Sequence, residues 1–120
     1  LFVIALSPAR AAEDSPQTRQ AADEAYATQR FAVALANYER LAAHGDVLAA
    51  ELAGHMRLLG PSLYGKQVPR DLGRARQWLA QAARSGSASA AFLLQRAESI
   101  AERDATGSAE EPDVPGPYGC

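Results

Sequence analysis

Apolar positions along this chain recur at helical spacing. Phe31, Leu35, Tyr38 and Ala42 stand at i, i+4, i+7 and i+11, flanked by Ala34 and Leu41. That spacing lines one side of a helix and predicts one over about 30–43. Ala49, Leu52, Ala53, Met56 and Leu59 share a face and predict a helix over 47–59. Leu72, Ala75, Trp78, Leu79, Ala82 and Ala83 predict another over about 69–85. Phe92, Leu93 and Ile100, with Ala90 and Ala97 between them, predict a last one over about 87–103. A weaker stripe of Ala21, Ala22, Ala25 and Tyr26 follows Ser15-Pro16, a cap and first-turn pair. It predicts a first helix over about 16–28 that caps the others. About five helices and no strand pattern make the expected fold all-α.

The breaks between these faces carry their own signals. Gly45 and Gly86 follow helix ends, where a left-handed residue is needed. Asp46 stands where it can cap the next helix. The two junctions echo each other: Gly45-Asp46-Val47-Leu48-Ala49-Ala50 against Gly86-Ser87-Ala88-Ser89-Ala90-Ala91. Gly54 lies inside a predicted helix, where glycine costs about 1 kcal/mol against alanine. A close crossing by a neighbouring helix is the expected reason. The stretch from Gly60 to Arg70 holds two glycines and two prolines and reads as a loop. Pro69 is then expected to open the next helix, with Asp71 in its first turn.

Composition adds that the core is thin. Hydrophobic residues are 48% of the 120, yet many are alanines, so helices must pack closely through small side chains. The net charge of −2 is segregated. Residues 13–51 carry seven acids and three bases, 52–96 seven bases and only Asp71, and 97–120 six acids and Arg103. A basic middle between acidic flanks is a solvated surface or a place for an anionic partner. The acidic remainder argues against nucleic acid.

Both ends read as separate from the helical region of 12–103. Leu1 to Leu6 is an apolar run, broken by Ser7-Pro8 and followed by Ala9-Arg10-Ala11. An apolar run, a breaker and an A-x-A site describe the end of a secretory signal peptide. Residues 1–11 are therefore expected to be its remnant, and the protein to be periplasmic or secreted in a bacterium. No segment is long enough to span a bilayer. Residues 104–120 form an acidic Pro/Gly tail expected to be disordered. The single cysteine, Cys120, can make no internal disulfide.

These spacings together resemble a known family. Gly45-Asp46, Ala49, Gly54, Met56, Gly60, Val68-Pro69, Asp71, Ala75, Trp78, Ala82-Ala83, Gly86, Ala88 and Ala90 resemble the Sel1-like repeat, a relative of the tetratricopeptide repeat. One full unit is covered, with partial units before and after it. Pro61-Ser62-Leu63-Tyr64 are extra residues in the connection. The resemblance implies a short α-solenoid of antiparallel helix pairs that serves protein–protein interaction. Two to two-and-a-half units are few for a stack, so caps, a partner or self-association must cover its ends.

No catalytic, metal or cofactor set is legible. His44 and His55 are the only histidines and match no usual ligand spacing. No nucleophile elbow surrounds a serine, and Gly60 to Gly65 lacks a phosphate-loop ending. Two surface features remain. Arg70, Arg74, Gln77, Gln81 and Arg84 follow steps of four, three, four and three along one polar stripe. Arginines there could grip carboxylate or phosphate. Tyr64, beside Lys66, is the candidate exposed aromatic of the loop. The first expectation is an exported, non-catalytic helical scaffold for a cell-envelope complex. The alternative is a binder of an anionic glycan or peptidoglycan through the stripe. A β-lactamase-like hydrolase is the remote third, since the cysteines of such relatives are missing here.

Overall fold

A computed structural model describes residues 16–106. The expected signal remnant at 1–11 and, of the expected tail over 104–120, the residues from 107 onward, with Cys120, lie outside the described residues. The chain is all-α: α1 spans Pro16–Ala27, α2 Phe31–Ala43, α3 Val47–Leu59, α4 Pro61–Tyr64, α5 Leu72–Arg84 and α6 Ala88–Thr106. A single 3-10 turn, Gly65–Gln67, follows α4. Among the described residues there is no strand.

Three joints between long helices are built alike. After α2, the Gly45 amide donates to the Ala42 carbonyl and the Asp46 amide to that of Leu41. After α5, Gly86 donates to Ala83 and Ser87 to Ala82. After α1, Gln29 donates to Tyr26 and Arg30 to Ala25. This crossed pair of bonds closes a helix end only when the middle residue is left-handed. Gly45 and Gly86 have φ of 100° and 105°, and Gln29 takes the same role at 63°. The residue after each then starts the next helix. The Asp46 carboxylate accepts from the Ala49 amide at 2.8 Å and Ser87 Oγ from that of Ala90 at 3.1 Å. The sequence echo is thus one joint used twice, and the first joint is a third copy without glycine.

Each joint reverses the chain, so α1 packs on α2, α2 on α3, α3 on α5 and α5 on α6. This order of contacts is compatible with a solenoid. Among the described residues, eleven of the twenty buried apolar residues are alanines, from Ala22 to Ala97. They let helix backbones approach, and the bulk comes from Met56, Tyr64, Val68, Leu79 and Trp78. Gly54 shows the closeness directly: a Cβ there would sit 2.5 Å from Leu79 Cγ on α5.

Four expectations need correction. The Gly60–Arg70 connection is not a plain loop. Gly60 has φ of 51°, Pro61 opens the one-turn α4, and the 3-10 turn follows. Helix α5 does not begin at Pro69. Asp71 is its cap, extended at φ −146° and accepting from the Arg74 amide at 3.0 Å, so the helix starts at Leu72. Phe92 is not core: it is 60% exposed on α6, and Ala90, Leu93, Ala97 and Ile100 make the inward face instead. The last helix also runs to Thr106, three residues past its expected end.

Candidate functional site

Because joints alternate, the C-terminal ends of α1, α3 and α6 gather with the starts of α2 and α5. Side chains tie this end together. Gln67 Oε1 accepts from the Ala32 amide and its Nε2 donates to the Gln29 carbonyl, both at 3.2 Å. The Asp71 amide donates to the Arg57 carbonyl at 2.9 Å. Arg70 pairs with Asp104 of α6 at 3.4 Å.

The connection builds a concavity at this end. A groove of about 450 Å³ is lined by Tyr26, Gln29, Phe31, Leu63, Tyr64, Gly65 and Gln67. Its floor is an aromatic cluster with edge-to-face geometry. The Phe31 and Tyr64 ring centroids are 4.9 Å apart, Tyr26 and Phe31 5.3 Å, and Tyr26 and Tyr64 5.8 Å. Such pairs add about 0.5–1.5 kcal/mol each beyond burial. Leu63 stands 55% exposed at the rim. Lys66 follows Gly65 and Arg30 precedes Phe31, so a cation flanks each wall in sequence. Among the described residues neither makes an ion pair.

Tyr64 corrects the sequence reading. It is 2% exposed, because α4 turns it back beneath the groove rather than out into solvent. Its hydroxyl lies 2.9 Å from that of Tyr26 and 2.8 Å from His55 Nδ1. Burial and the Tyr26 hydrogen bond push its pKa up, so it stays a neutral phenol. Burial also lowers the His55 pKa against the pull of Glu51. Tyr64 thus shapes the site from below, while Leu63 and Phe31, unremarked as site residues from sequence, form its surface. Gly60-Pro61 was the available signal: a left-handed glycine followed by proline starts a new turn of helix.

The basic stripe is largely engaged within the molecule. Arg74 reaches Glu39 at 3.6 Å and Asp71 at 4.0 Å. Gln81 Nε2 donates to the Ala42 carbonyl at 2.7 Å, turned inward onto the end of α2. Arg70 precedes α5 and holds Asp104. Only Gln77 and Arg84 of the five are exposed with no side-chain bond among the described residues.

The strongest polar junction is Glu39. It accepts from Arg57 Nε at 2.9 Å and Arg57 Nη2 at 3.1 Å, a two-pronged pair. Trp78 Nε1 donates to it at 3.0 Å. Burial opposes its charge, but Arg57, Trp78 and Arg74 outweigh that and hold the carboxyl below its usual range. Glu39 fastens α2 to α3 and α5. Among the described residues no three His, Cys, Asp or Glu side chains converge as metal ligands do. No described helix is long and apolar enough to cross a membrane. Compared with protein-family profiles, characterised proteins and solved structures, the chain matches none.

Proposed function

We propose that this protein is an exported, non-catalytic helical-repeat module that binds a protein of the bacterial cell envelope, with the groove at Tyr26, Phe31 and Leu63 as its contact. The observation that carries this is the groove itself: the exposed Leu63 beside a half-buried aromatic cluster, with Arg30 and Lys66 next in sequence to lining residues. Flat aromatic surfaces of this kind gain affinity from apolar side chains without losing many rotamers. The like-built joints support a scaffold, since they stack helices without assembling reactive groups. Export rests on the Leu1–Ala11 pattern, and the Sel1-like resemblance on residue spacing.

Capture from a solubilised envelope fraction tests this. The wild-type chain is expected to retain one protein at a fixed ratio through moderate salt. Leu63→Asp, at a rim position outside the core, is expected to lose at least tenfold of that capture while keeping its helical circular dichroism. Capture that survives Leu63→Asp but vanishes when Gln77 and Arg84 are changed to Ala contradicts the groove and favours the anionic-polymer reading.

A further inference from the structure

The groove has a fitting occupant within the same chain. Residues 109–118 read Ala-Glu-Glu-Pro-Asp-Val-Pro-Gly-Pro-Tyr. Pro112 and Pro115 are spaced as P-x-x-P, with Pro117 beyond. Proline at this density favours the polyproline II conformation, whose backbone carbonyls have no internal partners. Aromatic-lined grooves recognise such segments, because ridged prolines pack on ring edges and side-chain amides donate to the free carbonyls. Phe31 and Tyr26 supply ring faces and edges, and Leu63 supplies the exposed apolar rim. The exposed Gln29 side-chain amide, which makes no bond among the described residues, supplies a donor.

Charge and reach point the same way. Glu110, Glu111 and Asp113 make the segment acidic, no acidic residue lines the groove, and Lys66 and Arg30 flank it. The last described residue, Thr106, stands at the same end of the stack as the groove. Asp104 holds Arg70, and the Arg70 backbone packs on Gly60, four residues before Tyr64. At about 3.3 Å per extended residue the chain from Thr106 reaches about 20 Å by Pro112 and about 40 Å by Tyr118. A tether this short also holds the segment at high effective concentration.

We infer that the P-x-x-P segment at Pro112–Pro115 docks in the Tyr26–Phe31–Leu63 groove of its own chain and competes with any partner for it. This rests on the groove being the binding site proposed above. It makes the tail an intramolecular guard that an incoming proline-rich or apolar segment must displace.

Cys120 is the sole cysteine, so the full chain can carry one nitroxide label at that position. In a ¹⁵N-labelled sample, the amides of Gln29, Phe31, Gly65 and Gln67 are expected to broaden several-fold. Those of Gly45 and Gly86, at the opposite end, are expected to keep their intensity. The double substitution Pro112→Ala with Pro115→Ala is expected to abolish the broadening. Absence of groove broadening in the wild type overturns the proposal. So does broadening that appears only when label and isotope are on different chains, which places the tail of a second copy in the groove. Neither result touches partner capture through Leu63, which stands or falls in its own experiment.

Discussion

At the scale of single residues, the molecule is held by charged and polar groups set between alanine-rich helices. Glu39 and Asp46 are both held below the ordinary carboxyl range. In each, burial opposes the charge and hydrogen bonds overcome it: Arg57 and Trp78 for Glu39, Arg19 and the Ala49 amide for Asp46. Their contribution is complete above the unfolded-state values near about 4 and disappears as pH falls through the lower folded values. His55 acts in a higher window. Its folded pKa is lowered, so the unfolded chain takes the proton first, and stability present above about 6.5 declines as pH falls from there. Thermal unfolding followed from pH 8 to pH 3 is therefore expected to weaken in two stages. His55→Gln, which stays neutral and can still meet the Tyr64 hydroxyl, is expected to remove the first stage only. An unchanged first stage in that variant contradicts the assignment.

The elements are set by joints and by one close crossing, and two substitutions test them. Gln29 does the work of glycine at φ 63°. A left-handed non-glycine residue costs about 1–2 kcal/mol, partly offset in the exchange by the greater unfolded freedom of glycine. Gln29→Gly is thus expected to raise the unfolding free energy by about 0.5 kcal/mol in urea titration; a loss contradicts the joint geometry. Gly54→Ala puts a methyl against Leu79 Cγ and 3.3 Å from the Ala75 carbonyl. It is expected to cost about 1–3 kcal/mol, and Leu79→Ala in the same chain is expected to recover part of that, a non-additive pair.

These elements also show how far the sequence could be read. Periodicity alone located α3 to the residue, and Gly45-Asp46 with Gly86-Ser87 announced two of the three joints. The first joint was hidden because Gln29 carries no left-handed preference. The place of Tyr64 was hidden for a different reason. Composition says that Gly60-Pro61-Ser62-Leu63-Tyr64 turns, but whether an aromatic points in or out depends on a single turn of helix and on His55 waiting opposite. Phe92 was misread because helical spacing reports a face, and Ala90 and Ala97 turn the true inward face of α6 away from it. Of the arginine stripe, Arg74, Gln77 and Arg84 stand exposed on α5, while Arg70 precedes the helix and Gln81 turns inward. The sequence pattern did not show the acids Glu39 and Asp104, brought to it by α2 and α6, nor that the α5 cap Asp71 would pair with Arg74.

At the scale of the whole molecule, alternating joints sort the chain into two ends. One end carries Gly45, Gly86 and the Ser87 and Ser89 hydroxyls on Glu51. The other carries the aromatic groove, Lys66 and the exit of α6 toward the acidic tail. The central claim is that this end, and not the α5 stripe, meets the partner. A photo-crosslinking amino acid placed at Leu63, and separately at Arg84, in the cell that makes the protein tests it most directly. The expected result is one discrete intermolecular adduct from position 63 and none from position 84. An adduct from position 84 alone, or none from 63 in a correctly folded and exported chain, contradicts it.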